Sequence, residues 1–356
     1  MAAPVGECIP SESRLANNHM IRLVDIAARV GVSVMTVSKA LRDRPDVSAA
    51  TRARIKQAAK EMGYVPDSAA LGLRLGTTKL IGLMIPATTN PIFARTVLAI
   101  EDRARELGYD VLLMHTQNLI EREEACLRRL LSRRVDGILV APVYRMESEA
   151  RIYRELEASK TPVVLLGSPA ACCSQFVSVQ GDDLPASFAA TQHLLQLGHE
   201  RIAYLAGPLP AMWAQERFEG YRRAHRELRR DVDDCLVFHA GSTIEDGVKA
   251  ALQFVNEKCT ATAVLAVNDL VAIGFANTLL QQGLRIPQDL SLAGFGNILL
   301  AEHFRIPLTT VRQPKFRLGL AAMEMLMQLI RGEHVENRRL PAELVIRTST
   351  AAPRSA

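Results

Sequence analysis

Residues 24–41, with the sequence VDIAARVGVSVMTVSKAL, constrain the fold of this chain more than any other stretch. Apolar residues recur at helical spacing on both sides of Gly31, and a glycine there suits a tight turn. Ser33 follows, and its hydroxyl can accept a backbone N–H at the start of a helix. The two apolar faces consist of Ile26, Ala27 and Val30, then Val37, Ala40 and Leu41. The stretch therefore predicts two short helices that cross closely.

A third helix is predicted over 49–62. Ser48 is a suitable N-terminal cap for it, and Gly63 suits the position just after a helix end. Two helices joined by a tight turn form the helix-turn-helix pattern, whose second helix enters the major groove of DNA. With the third helix the segment reaches about 45 residues, a size that can fold alone. The alternative is an ordinary helical hairpin within a larger core.

The charge of the chain is unevenly distributed. The formal net charge is +5, and residues 1–79 contain 12 basic and 7 acidic side chains. The rest of the chain contains 31 side chains of each sign. A basic segment joined to a neutral body predicts that this segment alone binds an anionic partner such as DNA.

Cysteine placement and the N-terminal sequence predict a cytoplasmic protein. The six cysteines lie at positions 8, 126, 172, 173, 235 and 259, with no CxxC and no histidine at zinc spacing. We therefore expect reduced thiols, no metal and no cofactor. No segment has the apolar length of a signal peptide or of a membrane span. Met20 stands immediately before the helical pattern, so Met1 and Met20 are alternative starts.

Beyond residue 79, short apolar runs alternate with amphipathic helices. The predicted strands cover 80–86, 110–115, 136–142, 162–167, 201–208, 235–240, 263–269 and 290–297. Such runs are typical of parallel sheets covered on both faces. The predicted fold class is an all-α helix-turn-helix headpiece plus an α/β core of two doubly wound parallel-sheet lobes. Ligands of such sheets bind at the carboxyl ends of the strands, which here means the cleft between the lobes.

These patterns divide the chain into five parts. The expected parts are a disordered extension (1–20), the headpiece (21–65), a marginal hinge helix with its linker (66–78), the core (79–350) and a tail (351–356). In the core, one lobe is expected to combine about 79–179 with 312–339, and the other 180–311 with 340–350.

The order of headpiece, hinge helix and double lobe resembles the LacI/GalR family of transcription regulators. The phrases that carry the resemblance include VDIAARVGVSVMTVSKAL, MGYVP, IGLMIPATTNPIFA, RRVDGILVAP, LGHERIAYLAGP, RFEGYRRA and RIPQDLSLAGF. The resemblance covers about 21–350 and implies a core similar to the periplasmic sugar-binding proteins. It also implies a repressor controlled by a small effector, a sugar or a sugar derivative. We expect a homodimer on a near-palindromic operator, because one headpiece makes too few contacts for a specific site.

The resemblance assigns DNA contacts to the second helix. Val34 and Met35 lie at its exposed start and Lys39 one turn later, where the family reads base edges. Lys39 can donate to guanine, and Met35 can contact a thymine methyl group. The expected phosphate donors are Ser33, Thr36 and Ser38. The alternatives are burial of the two apolar residues inside the headpiece, and a Lys39 that is only solvated.

The hinge region both matches and departs from the family pattern. Leu73 corresponds to the leucine that the family inserts into the minor groove, where an apolar wedge kinks the duplex. A common Asn-x-x-Ala-Arg is replaced here by Asp67-Ser-Ala-Ala70-Leu71. Loss of that arginine removes a phosphate contact, so the hinge is expected to contribute less to affinity.

For the cleft, the resemblance suggests an effector set. Its members are Phe93, Trp213, Arg217, Asn268, Asp269 and Asn297. Arg217 offers a rigid fork of donors, and the Trp213 indole, expected in a loop, suits the apolar face of a sugar ring. The alternatives are helix packing for Phe93, a surface ion pair for Arg217, lobe packing for Trp213 and helix capping for Asp269. The usual acidic residue after Gly-Phe is replaced by Gly296, with Asn297 as a weaker substitute.

Other functions are less consistent with the sequence. No phosphate-binding glycine loop, dinucleotide fingerprint or nucleophile elbow occurs, and the eight histidines show no metal spacing. An enzyme is therefore not expected. A small-molecule binding protein of the periplasmic type, without a gene-regulatory role, is the alternative, but it leaves the basic head unexplained. Nonspecific nucleoid binding leaves the cleft unexplained.

Overall fold

A computed structural model of the protein describes residues 21–65 and 76–354. The chain divides into two compact units, residues 1–75 and 76–356, which are considered separately. The predicted disordered extension and hinge helix, together with Leu73, lie outside the described residues.

The headpiece consists of three short helices around a small apolar core. They are α1 (Leu23–Val30), α2 (Val34–Leu41) and α3 (Ala49–Glu61). Ser33 caps α2 by accepting the Thr36 N–H at 3.1 Å, and Ser48 caps α3 in the same way. Gly31 and Gly63 follow helices in the left-handed conformation that favours glycine. Ile26, Val37, Ala40 and Ile55 are fully buried between the helices.

The first lobe of the core is a six-stranded parallel sheet in the order β11-β5-β4-β3-β1-β2. Its strands are β1 (Leu80–Ile85), β2 (Asp110–His115), β3 (Gly137–Val140), β4 (Val163–Leu166), β5 (Val177–Gly181) and β11 (Arg338–Leu340). Its helices are α4 (Pro91–Glu106), α5 (Ile120–Ser132), α6 (Arg151–Ala158) and α12 (Lys315–Ile330). A 3₁₀ turn, Ala171–Cys173, lies between β4 and β5.

The second lobe is a six-stranded sheet in the order β12-β10-β9-β8-β6-β7, with only β12 antiparallel. Its strands are β6 (Ile202–Ala206), β7 (Val237–His239), β8 (Ala263–Ala266), β9 (Ser291–Gly296), β10 (Thr309–Arg312) and β12 (Glu343–Val345). Its helices are α7 (Asp183–Gln196), α8 (Met212–Glu227), α9 (Ile244–Asn256), α10 (Asp269–Gln281) and α11 (Leu299–His303). A second 3₁₀ turn covers Asp234–Leu236.

The sequence prediction of four strands per lobe is wrong, because each sheet has six. The missing strands are β5, β10, β11 and β12. All four flank the three points where the chain passes between the lobes: β5 precedes α7, β10 precedes α12, and β11 leads directly to β12. These three crossings bring the carboxyl ends of both sheets to one cleft.

None of the helices in the described parts of the chain combines the length and the apolar composition needed to cross a bilayer.

Candidate functional site

The exposed start of α2 is the first candidate site. Val34 and Met35 are 43% and 58% exposed, although both are apolar. The alternative that they pack inside the headpiece is therefore wrong, because Val37 and Ala40 fill that interior. Two exposed apolar side chains at the N-terminus of a helix are suited to contact base edges and thymine methyl groups.

The polar residues of α2 already have partners within the headpiece. The Ser33 and Thr36 hydroxyls are 2.8 Å apart, and Arg42 donates to the Ser38 hydroxyl at 2.8 Å. Lys39 Nζ lies 2.5 Å from the Asp46 carboxylate, with 41% of its side chain exposed. Exposed ion pairs are weak, so a DNA acceptor can replace Asp46 as the partner of Lys39.

Sequence reasoning did not single out Arg42, which lies one turn beyond Ser38 and donates to the Ser38 carbonyl and hydroxyl. Its spacing of four residues from Ser38 is the signal that could have identified it. Residues 21–65 contain 9 basic and 4 acidic side chains, so the positive charge of the N-terminal region lies within the folded headpiece.

The second candidate site is a cavity of about 160 Å³ in the core, at the carboxyl ends of both sheets. Five of the predicted effector residues line it: Phe93, Trp213, Arg217, Asn268 and Asp269. Phe93 lies in the first turn of α4 and packs against the core of the first lobe, so it lines the cavity and also takes part in helix packing. The cavity is thus built from both lobes.

Arg217 lies on α8 and is almost completely buried. Its Nε and a terminal nitrogen lie 2.8 and 2.6 Å from one oxygen of Asp183, and its other terminal nitrogen donates to the Val267 carbonyl at 2.7 Å. The alternative of a surface ion pair is wrong, since the two side chains are 7% and 5% exposed. A guanidinium has five N–H donors, so two remain for a ligand.

Trp213 lies in the first turn of α8, which corrects the expectation that it belongs to a loop. Its ring packs against Tyr144 at 5.9 Å, and the Arg217 guanidinium lies 4.5 Å from its centre. Its buried indole N–H lies near the Tyr144 hydroxyl but forms no hydrogen bond of good geometry among the described residues. A buried indole donor normally has a partner, so this N–H is available to a ligand.

Asn268 and Asp269 both line the cavity, and the residue that caps the following helix is Asn268 rather than Asp269, so the capping alternative for Asp269 is wrong. Asn268 caps α10: its side-chain oxygen accepts the Val271 N–H at 2.8 Å, and its amide donates to the Ser242 carbonyl. Asp269 accepts from the Thr310 hydroxyl and the Ile298 N–H. Burial raises the pKa of the Asp269 carboxyl. Both lie at the cavity wall, but much of their hydrogen-bonding capacity is used by the protein.

The expectation that Asn297 contacts the effector is corrected. Its side-chain oxygen accepts from Arg347 at 2.8 Å, and it is absent from the cavity lining. The preceding Gly296 has a φ of +132°, and a Cβ there would lie 2.8 Å from the Ile92 side chain. The positive φ strains any residue with a Cβ at this position, whereas the contact with the flexible end of Ile92 is relieved by a small side-chain shift.

Lys315 is a cavity residue that sequence reasoning missed. It is 7% exposed at the start of α12, and its ammonium group donates to the carbonyls of Gly296 and Asn297. Burial lowers its pKa to about 8, while the nearby Asp269 charge opposes this shift. A lysine directly after the Gln-Pro that follows β10 was the available signal, but β10 itself was not predicted.

Two further side chains carry acceptors without partners. The Oε1 atoms of Gln180 and Gln313 are buried at the cavity wall and have no hydrogen-bond partner among the described residues. Buried polar atoms without partners at one cavity indicate a site for a polar ligand.

Comparison with known proteins agrees with this two-part organisation. Residues 22–67 match the family described as bacterial regulatory proteins of the lacI family. Residues 78–348 match the periplasmic binding proteins and sugar binding domain of the LacI family.

Individual relatives cover almost the whole chain. The HTH-type transcriptional repressor PurR of Photobacterium profundum is 33% identical over 336 residues, which are 93% of this chain and 98% of the relative. The structure of the lac repressor dimer bound to operator and the anti-inducer ONPF has a TM-score of 0.82 at 28% identity, covering 93% of this chain and 99% of that one. The CelR–cellobiose complex has a TM-score of 0.71 at 30% identity, covering 92% and 99%. The chain belongs to the LacI family of DNA-binding transcriptional repressors that respond to small effectors.

Proposed function

We propose that this protein represses transcription as a homodimer on a near-palindromic operator, and that a neutral, hydroxyl-rich small molecule in the core cleft sets its operator affinity. The observation that carries the proposal is the cleft itself, which presents unpartnered buried polar atoms in a chain that also has an exposed recognition helix. A ligand-binding core joined to such a helix is the arrangement expected of a ligand-controlled DNA-binding protein.

The polar groups of the cleft favour a ligand rich in hydroxyl groups. Two N–H bonds of Arg217, one of Lys315 and the Trp213 indole N–H are free to donate, and Gln180 and Gln313 offer acceptors. A hydroxyl group can both accept and donate, so a polyol satisfies this mixture. The Trp213 ring and the apolar wall suit the flat face of a sugar ring.

The charges of the cleft favour a neutral ligand. Arg217 is paired with Asp183, and Lys315 lies near Asp269, so two cations and two carboxylates are combined at the cavity wall. An anionic ligand would compete with Asp183 for the Arg217 fork and would leave a buried carboxylate without its partner. We therefore infer that a neutral sugar or derivative binds more tightly than the corresponding sugar acid.

Two solved relatives support the assembly and the ligand class. One is the lac repressor dimer on its operator, and the other is CelR with cellobiose. The proposal includes binding to double-stranded DNA through α2, with Ser33, Val34, Met35, Thr36, Ser38 and Lys39 as contacts. It also includes Leu73 as a minor-groove residue, a cytoplasmic location and no catalytic activity.

A thermal-shift screen of neutral sugars, sugar acids and nucleosides tests the ligand class. A ligand at 100 times its Kd should stabilise the core by about 2.7 kcal/mol. Trp213 is the only tryptophan of the sequence, so saturable quenching of its fluorescence by a ligand would place that ligand in the cleft. Stabilisation by acids but not by neutral sugars contradicts the proposed ligand class. If no compound of any class binds, effector control itself is contradicted.

A further inference from the structure

A second group of reactive side chains lies in the first lobe, separate from the residues assigned to effector binding. Cys172 and Cys173 are neighbours in the 3₁₀ turn between β4 and β5, and are 5% and 0% exposed. The Cys173 thiol donates its single S–H to the Ala170 carbonyl at 3.5 Å. The pair is therefore a buried dithiol held in contact by the backbone.

A buried ion pair lies beside the two thiols. Arg145 pairs with Glu123, and their side chains are 4% and 0% exposed. The Tyr153 hydroxyl and the Val143 N–H each donate to Glu123 at 2.7 Å. The Nε atom of Arg145 is buried without a hydrogen-bond partner among the described residues. An arginine this deeply buried with an unused donor is uncommon away from functional sites.

These charges make the two thiols unequal. When Cys172 is ionised, the Cys173 S–H can turn from the Ala170 carbonyl to the thiolate. This hydrogen bond lowers the pKa of Cys172 to about 7 against the opposing effect of burial, and the Arg145 charge also favours the thiolate. The Glu147 charge acts in the opposite direction. The same hydrogen bond and burial raise the pKa of Cys173. One thiol is thus suited to attack an oxidant, and its neighbour remains protonated beside it.

We propose that Cys172 and Cys173 form a redox-sensitive dithiol that a hydroperoxide converts into a disulfide. The Cys172 thiolate attacks one oxygen of hydrogen peroxide and the O–O bond breaks, so that Cys172 becomes a sulfenic acid; the departing hydroxide takes the proton that the Cys172 thiol released and leaves as water. The Cys173 sulfur then attacks the Cys172 sulfur, the S–O bond breaks, and the departing hydroxide takes the Cys173 proton and leaves as a second water. The two thiols lose two electrons and two protons to the peroxide.

The position of the pair makes such a disulfide reversible. Adjacent Cα atoms are about 3.8 Å apart, below the usual separation in disulfides, and a strained disulfide is readily reduced. Short stretches of chain connect the pair to the effector cleft. Gly167 and Ser168, which line the cavity, lie a few residues before Cys172. Tyr144, which also lines it, is adjacent in sequence to Arg145. Oxidation should therefore alter the cleft around Trp213, which contacts Tyr144.

The test treats the full-length reduced protein with hydrogen peroxide, then alkylates free thiols and analyses the peptides by mass spectrometry. We expect a peptide with an internal 172–173 disulfide, formed at least about tenfold faster than oxidation of Cys126, Cys235 or Cys259. Dithiothreitol should restore both thiols and any change in Trp213 emission. In Cys173→Ser, the oxidation of Cys172 should stop at the sulfenic acid, which dimedone traps as an adduct.

Two controls keep the test decisive. Cys235→Ser removes an exposed thiol and should leave disulfide formation unchanged. Cys173→Ala replaces Cys173→Ser if the serine variant fails to show the native Trp213 emission. The proposal is overturned if both thiols stay alkylatable until the protein unfolds, if oxidation occurs first at Cys235, or if Cys172 is oxidised beyond recovery by dithiothreitol.

Discussion

The buried pair of Arg217 and Asp183 gives the sharpest prediction about the cleft. Both residues are more than nine-tenths buried, and two Arg217 nitrogens contact one Asp183 oxygen. In Arg217→Met, the Gln313 amide at 3.2 Å is the one side-chain donor that Asp183 keeps within residues 21–65 and 76–354. Leaving a buried charge without its partner costs about 3–5 kcal/mol. That loss corresponds to a decrease of roughly 6–20 °C in Tm for a domain of this size.

Removing the acidic partner should reduce the stability of the folded protein by less than removing Arg217. In Asp183→Asn, Arg217 keeps the Val267 carbonyl and stays stacked on Phe295, whose ring centre is 3.8 Å away. A cation over an aromatic ring gains about 0.5–2 kcal/mol, which offsets part of the loss. The double variant removes both charges, so its cost should be about 2–3 kcal/mol less than the sum of the single costs.

Thermal unfolding followed by Trp213 fluorescence and by circular dichroism measures these differences. The control is Arg223→Met on the same helix, because Arg223 forms an exposed pair with Glu219 at 3.0 Å. It should change the stability by less than about 0.5 kcal/mol. Equal losses in Arg217→Met and Arg223→Met, or additive effects of the two cleft substitutions, would refute the argument from burial.

Three further predictions concern DNA, pH and the ligand. Lys39→Ala should weaken operator binding by about 1–3 kcal/mol and relax preference at one base pair, with nonspecific binding nearly unchanged; fluorescence anisotropy on matched duplexes checks this. Burial lowers the pKa of Lys315 from 10.5 to about 8 in the folded protein. Between pH 8 and 10.5 the unfolded chain therefore binds more protons than the folded protein, so the free energy of unfolding should rise with pH in this range. Lys315→Met should lack this component, up to about 1.4 kcal/mol per pH unit in urea titrations. Trp213→Ala should weaken effector binding in calorimetry while ligand-free operator binding persists, and unchanged effector affinity would remove Trp213 from the site.

Local sequence signals were sufficient for the headpiece and for most of the sheets. The caps at Ser33 and Ser48 and the glycines after the helices act within a few residues, so they can be read directly from the chain. The apolar strands of the core were recognisable for the same reason. By contrast, β10, β11 and β12 contain the sequences TTVR, RRL and ELV, which lack an apolar run. They form because distant strands pair with them at the lobe crossings.

The cleft was only partly predictable, since its side-chain partners come from distant parts of the chain. Arg217 was identified, but its partner Asp183 lies 34 residues earlier on another helix. Lys315 was missed because its contacts depend on the crossing from β10 to α12. Asn268 and Asp269 were placed at the correct strand end, but the hydrogen bond from the distant Thr310 to Asp269 could not be read from the local sequence.

Selection of DNA by the full-length protein tests the central claim most directly. The protein is used to enrich duplexes from a random pool, and the enriched duplex is then titrated with and without a ligand that stabilises the core. The account predicts a near-palindrome with half-sites about one helical turn apart, and a change in affinity of roughly 5- to 150-fold on ligand addition. No enriched sequence, or an affinity that no core-stabilising ligand changes, would contradict it.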